Sequence, residues 1–138
     1  MRRRIGLLGI VGFFGLVAAA DAQTPSSTAA APFDGTYRLV SSAKVNNMYT
    51  TKKGLMAQCL DRTPGPLKIV DGRARYTSAT GYRVRGTVGP QGELAMRSST
   101  PGGSRPIEIN VNGTIDGTGT IRARQISNAC SYDFVWQK

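Results

Sequence analysis

Apolar and polar residues alternate along short segments from Phe33 onward, and turn-forming dipeptides separate these segments. A period of two is typical of strands in a sheet with one buried face. Residues 67–70 and 73–76 flank Asp71 and Gly72, a dipeptide that accepts positive φ and suits a two-residue hairpin turn. The pattern therefore predicts an antiparallel hairpin at this point.

The same pattern predicts two more hairpins and one strand at each end of the alternating region. The segments are 82–88 with 93–97, 107–111 with 121–124, and the outer strands 35–43 and 131–136. A meander of about eight short strands removes its two exposed edges most simply by closing. We therefore expect an all-β fold, an up-and-down barrel or strongly curled sheet, with a β-sandwich as the alternative.

The alternation also predicts which side chains fill the interior. The expected core is Tyr37, Leu39, Leu67, Ile69, Tyr76, Val84, Val88, Leu94, Met96, Ile107, Ile109, Ile121, Phe134 and Trp136. Residues 46–65 are the least patterned part of the chain. We expect a long loop there, or one short helical turn near residues 55–59.

The first 32 residues have a different character. Three arginines precede an apolar or small run that ends near an Ala-Asp-Ala site, which is typical of a secretory signal peptide over residues 1–22. A membrane anchor is the alternative, but the run is shorter than the ~20 residues that cross a bilayer. Residues 23–32 are small and polar and are expected to form a flexible tether. The single β domain would then span 33–138, in the periplasm or outside the cell, with no transmembrane segment after signal cleavage.

Composition argues against catalysis. The 138 residues contain no histidine, which removes the usual neutral-pH general base and the commonest nitrogen ligand for metals. Asp34, Asp71 and Asp116 each precede glycine, where a short carboxylate commonly bonds to backbone donors of its own turn. We therefore expect no enzyme, no catalytic residue, no metal site and no cofactor.

Two cysteines, Cys59 and Cys130, occur in a chain expected to enter an oxidising compartment. One disulfide between them is the default expectation. Their wide spacing is unlike that of the close pairs that tune redox-active thiols.

Several of these motifs together resemble a group of small secreted β domains of unknown role from alphaproteobacteria. They are the Phe-Asp-Gly-Thr-Tyr segment 33–37, Asp-Gly-Arg at 71–73, the Asp-Gly-Thr-Gly-Thr turn at 116–120, and Cys-Ser-Tyr at 130–132 followed by Trp136. The first motif often ends in Trp in that group, where this chain has Tyr37. The resemblance covers nearly all of 33–138 and implies the fold and the export, but no catalytic residue.

The placement of arginine is the most informative feature for binding. The formal charge is +10, and it stays at +8 without residues 1–22, which carry three arginines and one aspartate. Arg73 and Arg75 lie two residues apart, as do Arg83 and Arg85, so each pair projects from one face of its strand. With Arg97 on the next strand, these five residues could form an outward arginine belt, a candidate surface for anions.

Several functions are compatible with these features. One hypothesis is a binding module for anionic polysaccharide or lipopolysaccharide phosphates; nucleic acid is not expected outside the cell. Another is a structural or interaction domain of an envelope assembly, or an inhibitor-type module that binds protein through a loop. The alternative without any binding role is that the arginines form a solvated face that keeps the protein soluble. Neither the partner nor the oligomeric state follows from the sequence.

Overall fold

A computed structural model of the protein describes residues 31–100 and 107–138, which form ten strands after a 3-10 turn at Ala31–Phe33. The expected signal peptide and most of the expected tether lie outside the described residues. The strands are β1 (Gly35–Lys44), β2 (Met48–Thr50), β3 (Met56–Gln58), β4 (Leu67–Val70), β5 (Arg73–Thr77), β6 (Arg83–Val88), β7 (Glu93–Thr100), β8 (Ile107–Ile115), β9 (Thr120–Ser127) and β10 (Tyr132–Gln137).

Eight of these strands close into an antiparallel barrel in the order β1-β10-β9-β8-β7-β6-β5-β4. Every pair of neighbouring strands in this barrel is antiparallel, and β10 pairs with β1. The predicted up-and-down barrel is therefore confirmed, and the sandwich alternative is wrong.

The unpatterned segment 46–65 holds a small two-stranded sheet, formed by β2 and β3. The expected helical turn near residues 55–59 is wrong, because Met56–Gln58 is extended and pairs with Met48–Thr50. Residues 59–66, which follow, form a loop without regular secondary structure. Each strand is only three residues long, which is too short for alternation to be visible in the sequence.

The turn between β4 and β5 has the geometry that its sequence predicts. Asp71 and Gly72 have φ values of 50° and 73°, the pair of positive angles found in a type I′ turn. The Asp71 amide also donates to Asp34 Oδ2, 3.0 Å away, which attaches the turn to the start of β1. This turn fixes the register in which Ile69 faces Ala74 and Lys68 faces Arg75.

Inward side chains fill most of the barrel with an apolar core. The predicted core residues are buried except Leu39, which is partly buried against the core, and Ile107, whose side chain lies outside the described part of the structure. The core also contains buried residues that the predicted list omits: Cys59, Ala74, Val111, Ile115, Ala123 and Tyr132. Leu39 is less buried because β1 changes register against β10 between Leu39 and Ser41, and the intervening Val40 is exposed.

Two glycines allow neighbouring strands to approach closely inside the wall. Gly86 stands between the inward residues Val84 and Val88, and a Cβ there would collide with the Ala95 carbonyl of β7. A Cβ on Gly113 would likewise collide with the Arg122 carbonyl of β9. Glycine at such positions permits the sharp bends by which a small barrel turns its corners.

The disulfide between Cys59 and Cys130 is present, with the Cα atoms 5.8 Å apart. It attaches the segment after β3 to the segment before β10. Asn46 reinforces this junction, because its side chain donates to the Ala129 carbonyl and accepts from the Ser131 amide. These bonds hold the β2–β3 sheet beside one end of the barrel.

Candidate functional site

The five arginines of the arginine belt are all exposed on the outer face of β5, β6 and β7. This orientation follows from the alternation of their strands, in which Ala74, Tyr76, Val84 and Met96 point inward. The prediction that these arginines point outward is confirmed. Their role in binding stays a prediction.

The pairing register of β5, β6 and β7 places three of the five arginines in one row. Arg75 lies directly opposite Arg85, and Arg85 lies directly opposite Arg97. Lys68 of β4 faces Arg75 from the other side and extends the row to a fourth strand. Four basic residues on adjacent strands, which lie about 4.8 Å apart, therefore span about 15 Å.

The remaining two arginines flank this row. Arg83 pairs with Thr77, and Arg73 pairs with Thr87, so each lies two residues along its strand from a row member. The row, Arg83 and Arg73 thus form one continuous basic face.

A groove of about 380 Å³ runs through this face. We call it the basic groove; it is lined by the basic residues Lys68, Arg75, Arg83 and Arg85 and by Pro66, Tyr76 and Thr77. None of its lining residues is acidic.

No member of the basic face forms an ion pair among the residues that the structure describes. The two ion pairs found there join Lys44 to Asp61 and Arg124 to Asp133, both away from this face. The second pair is bidentate, with Nε and Nη2 of Arg124 lying 2.7 and 2.9 Å from the carboxylate oxygens. This hydrogen bonding lowers the pKa of Asp133 and raises that of Arg124.

Like charges placed directly opposite each other destabilise a sheet, by up to about 1 kcal/mol per pair. Arg75, Arg85 and Arg97 therefore carry a cost that no described carboxylate offsets. An anion that bridges two of these guanidinium groups would remove that repulsion and gain charge-assisted hydrogen bonds.

Sequence reasoning missed Lys68 as a member of this face. Its position could have been derived, because a two-residue turn at Asp71 and Gly72 places Lys68 opposite Arg75. The groove itself could not be derived, because its shape depends on where side chains of β4, β5 and β6 and the preceding Pro66 lie in the closed barrel.

Two of the three aspartates in the Asp-Gly turns accept hydrogen bonds from backbone amides. Asp116 Oδ1 accepts from the amides of Thr118 and Thr120 and from the Thr118 hydroxyl, as a turn residue should. Asp34 accepts from the Asp71 amide through Oδ2. The described residues contain no group of three or more side chains that could hold a metal ion.

Comparisons with known proteins add no family: protein-family models, curated proteins and solved structures were all searched, and none matches this chain. Over the described ranges, the structure has no helix of the length and apolar character needed to span a membrane.

Proposed function

We propose that this protein is a non-enzymatic binding module of the cell envelope or its surroundings, which binds phosphate-bearing or otherwise anionic polymers on its basic face. The observation that carries the proposal is the row Lys68, Arg75, Arg85 and Arg97, four directly opposed basic residues without a described ionic partner. Anionic polysaccharide and the phosphates of lipopolysaccharide both offer the repeated negative charge that such a row would bind. Export to the periplasm or beyond is part of this proposal.

The groove geometry supports anion binding over a merely solvated surface. Arginines that serve only solubility can spread evenly, whereas Arg75, Arg83 and Arg85 line one concave groove together with Lys68. Guanidinium groups contact phosphate in a bidentate manner, which adds geometric specificity to the charge attraction.

Charge reversal of Arg75 and Arg85 tests the proposal. The double variant Arg75→Glu and Arg85→Glu should lose about tenfold or more in affinity for lipopolysaccharide or heparin, because two bidentate contacts become repulsive. Both side chains are exposed, so the barrel should fold normally. Parental affinity should also fall between 0.1 and 1 M salt, as the screening length shortens from ~10 to ~3 Å.

A matched control distinguishes the effect of the basic face on affinity from the effect of net charge. Arg38 and Arg122 are exposed on β1 and β9, and Arg38→Glu with Arg122→Glu changes the total charge by the same amount. This control should bind much as the parent does. If both double variants lose affinity equally, or if neither loses any, the basic face is not the binding site.

The source of the anion is distinguished by the choice of probe. Lipopolysaccharide and its dephosphorylated form differ in phosphate alone, and polygalacturonate presents carboxylates on a glycan. Binding that disappears on dephosphorylation identifies phosphate, and retention on polygalacturonate identifies a general acidic glycan.

A protein-interaction role is the second candidate, and a different surface favours it. Met48, Leu55, Met56 and Leu60 in and around the β2–β3 sheet are each 44–65% exposed. Exposed apolar residues concentrated on one small element are a feature of protein-binding sites. Pull-down from envelope extracts that survives Arg75→Glu with Arg85→Glu but is lost with Leu55→Ser and Met56→Ser would support this role instead.

A further inference from the structure

The barrel contains a second concave site that the basic face does not use. A cavity of about 490 Å³ opens at the barrel end that carries the β2–β3 sheet. We call it the mouth cavity. Ile109, Gln125 and Phe134 line it from within the barrel, and Tyr49, Lys52 and Arg62 line it from the segment between β1 and β4.

Gln125 places an unused hydrogen-bond donor in this cavity. The residue is only 7% exposed, and its Oε1 accepts from the Tyr76 hydroxyl at 2.5 Å. No partner for its Nε2 amide is found within the described residues. The Nε2 amide is accessible to solvent at the cavity wall, so a ligand oxygen placed there would replace water as its hydrogen-bond acceptor.

Several side chains that line the cavity are aromatic or apolar. The rings of Tyr132 and Phe134 lie parallel with centroids 5.8 Å apart, and Ile109, Leu60 and Tyr82 also face the space. Its volume is about three times that of the ~150 Å³ cavity known to hold benzene, which is room for a two-ring compound.

The charged residues of the lining are all basic. Lys52, which is exposed, and Arg62, which is half-buried, are the charged side chains found there, and both belong to the segment between β1 and β4. Neither forms a described ion pair. A ligand with a negative group at its outer end would therefore be favoured over a cation.

We propose that the mouth cavity binds a small aromatic carboxylate. Its rings would pack against Phe134 and Ile109, an oxygen acceptor at its inner end would accept from Gln125 Nε2, and its carboxylate would face Lys52 and Arg62. Barrel mouths are common positions for such sites, where a few polar groups orient an otherwise apolar ligand. This site is independent of the basic face and of the function proposed for it.

Three naphthalene probes test each part of this arrangement. Calorimetry and fluorescence should show that 6-hydroxy-2-naphthoate binds more tightly than 2-naphthoate, which lacks the inner oxygen. The methyl ester of 2-naphthoate, which lacks the negative charge, should bind weakest. Equal affinity for all three, or no binding at millimolar concentration, would overturn the proposal.

Two variants locate the binding within the cavity. Gln125→Glu keeps the acceptor for Tyr76 but replaces the amide donor by a second acceptor oxygen, and should weaken 6-hydroxy-2-naphthoate binding at least tenfold. Lys52→Gln with Arg62→Gln should weaken both acids and leave the ester unchanged. Arg75→Glu with Arg85→Glu is the control, and loss of naphthoate binding in that variant would place the probe on the basic face.

A folding check keeps the first variant interpretable. The near-ultraviolet dichroism of Trp136, which lies in the core beside Tyr76 at 5.4 Å, reports the barrel interior. Should Gln125→Glu perturb that signal, Gln125→Met provides an uncharged variant without a donor. Unchanged affinity for 6-hydroxy-2-naphthoate in Gln125→Met would refute the role of the amide.

Discussion

Single carboxylates hold turns of this barrel in place. Asp116 accepts three hydrogen bonds within the β8–β9 turn, and the bond from the Thr118 side chain is the main reason that its pKa lies below the usual value. The Thr120 amide and the nearby Arg122 lower it further. The folded state therefore favours the ionised carboxylate more than the unfolded state does.

This shift predicts the pH dependence of stability. A lowered folded-state pKa contributes stability above the unfolded pKa, and the contribution is lost as pH falls through the folded-state pKa. Asp116→Asn should therefore show a smaller loss of melting temperature between pH 7 and pH 3 than the parent. Asp133, whose pKa is also lowered, keeps its pair with Arg124 in both proteins. Identical pH profiles for the variant and the parent would contradict the role assigned to Asp116.

Among single residues, those that point into the barrel are expected to contribute most to the free energy of unfolding. Ile109 is 3% exposed, and Ile109→Ala should cost about 2–5 kcal/mol in the free energy of unfolding, since it removes buried methyl groups and leaves a cavity. Ile126→Ala is the matched control, because Ile126 is 46% exposed on the adjacent strand. Urea titration measures both, and equal costs would show that burial at residue 109 is not the cause.

At the scale of the element, the β2–β3 sheet depends on its attachments. It belongs to no barrel sheet, and the Cys59–Cys130 bond and the Asn46 contacts join its surroundings to the barrel. Tyr132 adds a further contact, because its hydroxyl donates to the Leu60 carbonyl at 2.7 Å. Isolated two-stranded hairpins are marginally stable in water, so these links matter.

Replacing both cysteines by serine should therefore affect both the stability of the whole domain and the local stability of the β2–β3 sheet. Opening a loop of this length lowers stability by up to about 4.4 kcal/mol in the chain-entropy model. Hydrogen exchange should also rise first in the β2–β3 sheet, while the barrel amides stay protected at low denaturant. If sheet and barrel amides change together, the sheet is not a separate cooperative unit.

At the scale of the molecule, the barrel was predictable but both concave sites were not. Alternation along β4–β9 and the turn at Asp71 and Gly72 determine which side chains point out, so the exposure of Arg75 and Arg85 follows from sequence. The register change at Val40 could not be predicted, because it is not visible in the alternation of apolar and polar residues. The mouth cavity joins Tyr49, Gln125 and Phe134 from distant segments, and only the closed topology brings them together.

Export remains a prediction at this scale. The mature chain should begin near Gln23 and carry one intramolecular disulfide and no free thiol. Intact mass with and without alkylation measures both. A secreted species that retains Arg2, Arg3 and Arg4, or one that reacts with iodoacetamide before reduction, would contradict this expectation.

The closure of β1 on β10 has a consequence for when the protein can fold during its synthesis. β1 pairs with β4 over three residues but with β10 over six, from Arg38 with Gln137 to Lys44 with Tyr132. Most of β1 therefore stays unpaired until β10 has been synthesised, and its open edge can pair with other chains in the interval. A chain threaded through a translocation pore would complete its barrel only on the far side, after residue 137 has emerged. The native Cys59–Cys130 disulfide would form equally late, since Cys130 lies only two residues before β10 begins at Tyr132.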